Sequence, residues 1–374
     1  MKSIAVLFIA TAAFAATPAE MAIEKTQAEI AKHPDHAQYY NTLAMAYARR
    51  ARETSDVRYY AKAEETLAHS FALAPDNYEG LKVKAWLELG RHEFGKALET
   101  ATKLNKKTPD DVIVYGYLAD ANTELGNYKE AVAAVQWMLD LRAGNIPGLT
   151  RAAYQRELHG NLHGSMELMQ MAYDATATSE TEDRAWLLTQ MAHLNFVGGD
   201  LAQAEFYAKR ALATFTDYHY ALGILAQVRV AQKRYDEAVT LLERRYQAAP
   251  HAENLYALAE ALELAGKTEE SARAFAEFER KSLAETNITD NSNHELIAYY
   301  VDHAHAPDKA LAVAERELAR RHDVFTLDCY AWALAANGDY AEANTQIQKA
   351  LQVGVKDPKI LAHAEFIRAH GAAE

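Results

Sequence analysis

The chain has 374 residues, half of them apolar, with 52 acidic against 39 basic side chains and a formal net charge of −13. That content supports a continuous core, and the acidic balance speaks against non-specific binding to nucleic acid or anionic lipid, both of which need basic surface. A single cysteine, Cys329, excludes an intrachain disulfide, so packing alone must hold the fold.

The chain opens with Met1-Lys2-Ser3 and an apolar run over residues 4–15 that ends in Ala13-Phe14-Ala15. This is the layout of an export signal over 1–15, with cleavage expected near Ala15-Ala16. The run is too short to span a bilayer. The product is therefore expected to be exported, periplasmic or secreted from a bacterium, with no membrane insertion after cleavage.

A helix is predicted from about residue 19 to 32, ending at His33-Pro34, as a capping half-repeat over 16–35. Asp35 can cap the next helix, where Tyr40, Leu43, Ala44 and Tyr47 share one face. Charged residues inserted between Arg50 and Arg58 predict a longer turn before a second helix that closes at Pro75-Asp76-Asn77. Further units begin near 78, 112, 146, 185, 219, 252, 291 and 324, so that nine helix pairs fill 36–357. Turns are read at Gly90, Gly126, Gly160, Gly198-Gly199, Gly266 and Gly338, since glycine takes the left-handed conformation that ends a helix. Pro75, Pro109 and Pro250 close second helices. The stretch 282–293 reads as a surface loop, and a last helix from Pro358 to about Arg368 covers the carboxyl end within 358–374.

The units share one phrase with a period of about 34 residues. Leu118-Ala119 leads to Gly126-Asn127-Tyr128 and Ala131; Leu225-Ala226 leads to Lys233-Arg234-Tyr235 and Ala238. Tyr330-Ala331 leads to Gly338-Asp339-Tyr340 and Ala343, and Leu258-Ala259 to Gly266-Lys267-Thr268 and Ser271. Small side chains recur because two helices cross there, and a larger one would strain the crossing by roughly 1–3 kcal/mol. The tyrosines open the second helix, where a ring can cover the turn. One unit cannot bury its apolar face alone, so the units must stack.

This pattern resembles the tetratricopeptide repeat: Leu at position 7, a small residue at 8, Gly at 15, Tyr at 17, and Ala at 20 and 27. The units starting at 112, 219 and 324 match best, while units 1, 2, 4 and 8 are degenerate. The resemblance implies an all-α, right-handed superhelical solenoid of antiparallel helix pairs whose first helices line a concave groove. Members of that family are usually adaptors, co-chaperones or assembly scaffolds that grip a peptide or partner protein there. Carried over by position, the groove residues are Trp86, Tyr154, Trp186, His193, Phe196, Tyr220, Tyr256, Tyr299, Phe325 and Trp332, with Glu260, Glu263, Asp302 and Asp328 among them. Basic residues are few there, chiefly Lys82. The expected partner is a protein or peptide, an apolar segment bearing Lys or Arg, and not nucleic acid. The alternative is an enzyme, hydrolytic or glycan-acting, on a helical-repeat frame, or a sensor or structural module of a secreted complex.

Motifs for chemistry are weak. Gly90-Arg91-His92-Glu93-Phe94-Gly95-Lys96-Ala97 nearly spells a phosphate loop, but Ala97 stands where a magnesium-binding Ser or Thr is needed and no strand precedes it. His159 with His163, and Asp302 with His303 and His305, fall short of a metal-ligand set. Cys329 has no His or Asp positioned in sequence to activate it. No catalysis, cofactor or metal is predicted.

Overall fold

The computed structural model describes residues 16–54, 56–286 and 291–371; the segment read as an export signal lies outside them. Among the described residues there are twenty α-helices and no strand. A first helix, α1 (Pro18–Lys32), precedes nine antiparallel pairs. These are α2 (Ala37–Thr54) with α3 (Arg58–Leu73), α4 (Tyr78–Gly90) with α5 (Phe94–Lys107), and α6 (Val112–Glu124) with α7 (Tyr128–Leu141). Next come α8 (Ile146–Leu158) with α9 (Leu162–Ala175), α10 (Thr181–Val197) with α11 (Leu201–Thr214), and α12 (His219–Ala231) with α13 (Tyr235–Ala248). The last three are α14 (Ala252–Leu264) with α15 (Thr268–Glu285), α16 (Asn293–Ala298) with α17 (Pro307–Leu318), and α18 (Val324–Ala336) with α19 (Tyr340–Val353). Helix α20 (Pro358–Gly371) covers the carboxyl end.

Local chemistry accounts for the helix ends. The Asp111 carboxylate accepts the free N–H groups of Ile113 and Val114, and Asp323 does the same for Phe325 and Thr326. Gly126, Gly160, Gly199, Gly266 and Gly338 take positive φ between the paired helices. Unit 2 instead uses His92 (φ 56°) rather than Gly90, and Lys233 and His305 serve units 6 and 8. The small residues of the repeat sit at the crossings as expected: Ala119, Ala131, Ala226, Ala238, Ala331 and Ala343 are fully buried. First helices of neighbouring units touch one another (α2 with α4, α4 with α6, α6 with α8, α10 with α12), while each second helix packs on the first helices of its own and the following unit. The first helices are therefore the inner layer.

Three departures from regularity appear. The charged insertion after Arg50 lengthens α2 to Thr54 rather than the turn, and α10 begins at Thr181, four residues before the repeat register places it. In unit 8, residues 299–303 form one wider turn, in which the Ala304 N–H donates to the Tyr299 carbonyl (2.8 Å).

The first two departures meet each other. Arg49 bonds Glu180 (2.7 Å) and Asp183 (3.3 Å), Arg52 bonds Glu182 and Asp183 (2.7 Å), and the Tyr218 hydroxyl donates to Glu182 (2.6 Å). The His219 ring bonds the Arg52 carbonyl (3.1 Å). Unit 1 is thus joined to units 5 and 6. A second joint ties units 3 and 4 to the end of the chain. The His322 N–H donates to the Glu124 carbonyl (3.1 Å), the Val324 N–H donates to the Tyr128 hydroxyl (2.9 Å), and Arg321 reaches the Glu124 carboxylate (3.4 Å). A Cβ at Gly160 would stand 2.5 Å from the Gly354 carbonyl, so only glycine fits there. The solenoid winds back onto itself, and the concave face is divided into several half-open cavities.

Candidate binding cavities on the concave face

Three cavities lie along the inner helices. The largest, about 1020 Å³, is bounded by α2, α4, α6, α8 and α10 and contains Trp86, Tyr154 and Trp186. A central cavity of about 510 Å³ shares Arg52, Trp86, Asp120, Arg151 and Tyr154 with it and adds Tyr220. A third, about 580 Å³, lies between α10, α14, α18 and α20 and gathers His193, Phe196, Tyr256, Glu260, Phe325, Asp328 and Trp332. Of the fourteen residues the sequence places in the groove, only Glu263, Tyr299 and Asp302 line none of these three.

Exposure separates the fourteen further. Trp86, Tyr154, Trp186, His193, Phe196, Tyr220, Phe325 and Trp332 are half-buried, as a wall facing a cavity should be. Tyr256 is only 6 % exposed and belongs to the core, its ring 5.1 Å from Phe278 and its hydroxyl donating to Glu260 (2.9 Å). Burial, then the Glu260 charge, pushes the Tyr256 hydroxyl far above its ordinary pKa. Tyr220 packs on His219, centroids 3.9 Å apart, and Tyr299 stacks on Phe275 at 5.3 Å.

The acidic residues of the groove have partners on neighbouring helices. Glu260 and Glu263 lie 3.6 and 3.0 Å from the His303 ring, Asp302 accepts the Trp332 indole N–H (2.8 Å), and Asp328 bonds His363 (2.9 Å). His193 bonds Glu157 (2.8 Å). Burial pulls the His193 and His303 pKa values down, but the bonds to Glu157 and Glu260 outweigh it and the net shifts are upward. These carboxylates join one unit to the next, so the expected attraction for a basic segment is largely answered from within. The sequence reading found few cations here beyond Lys82; the structure adds Arg52, Arg151, Arg245, Arg321 and Lys359 to the cavity walls. They stand outside the helix positions at which the repeat pattern was read, which is why the pattern missed them.

The weaker motifs resolve as ordinary structure. Lys96 pairs with Glu93 (3.1 Å), the His159 ring bonds the Gln155 carbonyl (2.7 Å), and His163 lies 3.3 Å from Glu167. Among the described residues no group of three His, Cys, Asp or Glu converges as a metal site. Burial pushes the Cys329 thiol well above its ordinary pKa, which keeps it protonated and poorly nucleophilic.

No protein-family model matches the chain, and no curated protein does. Among solved structures, the human IFIT1 dimer with m7Gppp-AAAA is similar at 13% identity and TM-score 0.54, covering 91% of this chain and 96% of that one. The human IFIT1 dimer with PPP-AAAA is similar at 12% and 0.53, covering 91% and 95%. The Cut9-Hcn1 hetero-tetramer of APC/C is similar at 11% and 0.48; the match covers 87% of this chain and 55% of that one. At such identities the likeness to IFIT1 is one of fold, and it agrees with the helix order: the chain is an all-α solenoid of tetratricopeptide-like helix pairs.

Proposed function

We propose that this protein is a non-catalytic scaffold that holds a segment of another protein on its concave face, in the cell envelope. One observation carries the reading: Phe196, Phe325 and Trp332 stand half-buried around the cavity between α10, α14, α18 and α20, beside carboxylates already engaged by histidines. Half-exposed aromatic rings in a concave site are typical anchors for a partner. With Glu260 and Asp328 engaged, the anchored segment is mainly apolar, and a basic residue on it would bind at the rim or beside Glu295. The acidic chain supports a protein partner over nucleic acid, whose phosphates need unpaired cations. The envelope location rests on the signal-like residues 1–15; no helix among the described residues is long and apolar enough to cross a membrane.

The test is affinity capture from an envelope extract with the full chain and with the double variant Phe196→Ala/Phe325→Ala. A partner retained by the first and lost by the second, with helicity unchanged, supports the reading. An unchanged partner set overturns it. Cell fractionation with amino-terminal sequencing checks the export step; an uncleaved cytoplasmic product would refute it.

A further inference from the structure

The largest cavity, at the other end of the concave face, has a chemistry that a protein grip on α10, α14 and α18 leaves unused. Three half-buried aromatic side chains face it from first helices, Trp86 on α4, Tyr154 on α8 and Trp186 on α10, with the core residue Tyr117 of α6 behind them. Apolar groups such as Met45, Val83, Ile113 and Ile146 fill the spaces between them. Its volume of about 1020 Å³ is that of a small-molecule site at the upper end of the usual range.

The charges on the wall cancel locally. Three cations (Arg52, Lys82, Arg151) and four anions (Glu79, Asp120, Glu180, Asp183) line the cavity. Arg52 bonds Asp183 (2.7 Å), Arg151 grips Asp120 with two bonds (2.8 and 2.5 Å), and Lys82 lies 2.8 Å from Asp111 and 3.5 Å from Glu79. Glu180 is held by Arg49 (2.7 Å). An ionised guest would lose part of its hydration and find no unneutralised opposite charge to replace it. The wall therefore selects against charge.

What the wall leaves unengaged is a set of hydrogen-bond donors. The indole N–H groups of Trp86 and Trp186 and the hydroxyls of Tyr117 and Tyr154 make no hydrogen bond to any described residue. An indole N–H can only donate, so the guest atoms that face it must be acceptors.

We propose that this chamber is a binding site for an uncharged, largely apolar small molecule that carries carbonyl or ether oxygens. The rings of α4, α8 and α10 hold its body, and the Trp86 and Trp186 N–H groups hold its oxygens. The site is separate from the partner-binding surface and does not depend on it.

The experiment titrates the full chain with Nile red, a neutral aromatic ketone dye, and with anionic 1-anilinonaphthalene-8-sulfonate. Dye emission and quenching of protein tryptophan fluorescence are both followed. The expected result is saturable one-site binding of Nile red and about tenfold weaker binding of the anionic dye. The double variant Trp86→Phe/Trp186→Phe, which keeps a smaller aromatic ring at each position and removes both donors, should bind Nile red about tenfold more weakly. Thr150→Trp, which fills the chamber from α8, should abolish binding, while Trp137→Ala, at an exposed ring on α7, should leave it unchanged. Should Thr150→Trp lose helicity, the phenylalanine double variant decides alone. Equal affinity for the two dyes, no saturable binding, or loss confined to Trp137→Ala would each overturn the proposal.

Discussion

The two joints that close the superhelix use opposite chemistry. The joint between α2 and α10 is made of side-chain charge: Arg49 and Arg52 on one helix, Glu180, Glu182 and Asp183 at the start of the other. The joint between units 3 and 4 and the carboxyl end is made mainly of backbone: the Glu124 and Gly354 carbonyls, the His322 and Val324 N–H groups, and glycine where a side chain would collide. Inserted residues lengthen the helices that form the first joint, so that guanidinium and carboxylate can reach across. The second stays in register and needs close approach, which glycine permits. A charged joint adds little net stability over an apolar one but is costly to break on one side; a backbone joint is sensitive to volume.

The largest expected effect is at the first joint. Arg52→Ala leaves the fully buried Glu182 side chain without its nearest cation and should cost about 3 kcal/mol in urea-induced unfolding, the low end of the range because Arg52 itself is partly exposed. A loss no greater than that of the exposed Arg58→Ala would show that the joint carries no load.

The second effect separates strain from collision. Gly266 (φ 74°) has nothing within 4 Å of an added Cβ, whereas Gly160 (φ 77°) would meet the Gly354 carbonyl. Gly266→Ala should cost about 1 kcal/mol for the left-handed backbone alone. Gly160→Ala should cost roughly 2–3 kcal/mol, the excess measuring the joint. Equal melting-temperature losses in the two variants would mean the windings do not touch in solution.

The third concerns pH. Burial, then the nearby Asp323 charge, lifts the Glu124 carboxyl from 4.5 to about 7, against the opposing pull of Arg321. Between those values the folded protein keeps a proton that the unfolded chain has released. The resulting stability is full below pH 4.5 and is lost as pH rises through about 7, a change of up to about 3 kcal/mol. Glu124→Gln should flatten that decline in unfolding free energy between pH 5 and 8; an unaltered slope would place its origin elsewhere, for example at His193 or His303, which shift in the same sense.

The smallest effect sharpens the second joint. Tyr128→Phe removes the hydroxyl that accepts the Val324 N–H and should cost about 1 kcal/mol, together with faster amide exchange at Val324. Protection at that amide equal to wild type would remove this bond from the joint.

Much of the architecture was legible before any coordinates. The pairs that open at 112, 219 and 324 carry the phrase Leu/Tyr-Ala…Tyr…Ala and begin at the expected residues, and Ala119, Ala131, Ala331 and Ala343 are at the crossings that demand a small residue. Most of the groove residues do face cavities. Tyr256 shows the limit of that reading, because a position on the inner helix face does not say how closely the next helix approaches. Here Phe278 and the wider turn at 299–303 bring the neighbours onto the ring and bury it. The insertion after Arg50 was legible as irregular, but its outcome, an extended helix carrying two arginines towards α10, was not.

What this sequence determined by itself is the repeating contact between each helix pair and the next, because identical small and apolar residues recur at a fixed spacing and every copy reinforces the same packing. Only the tertiary structure decided how the windings meet. Arg49 and Glu180 are 131 residues apart, Tyr128 and Val324 196, and each such contact is made once, even where, as at Tyr128, one partner is a residue of the repeat. Periodicity records what neighbours share; closure of the superhelix, and with it the three cavities, depends on single encounters that leave no period to read.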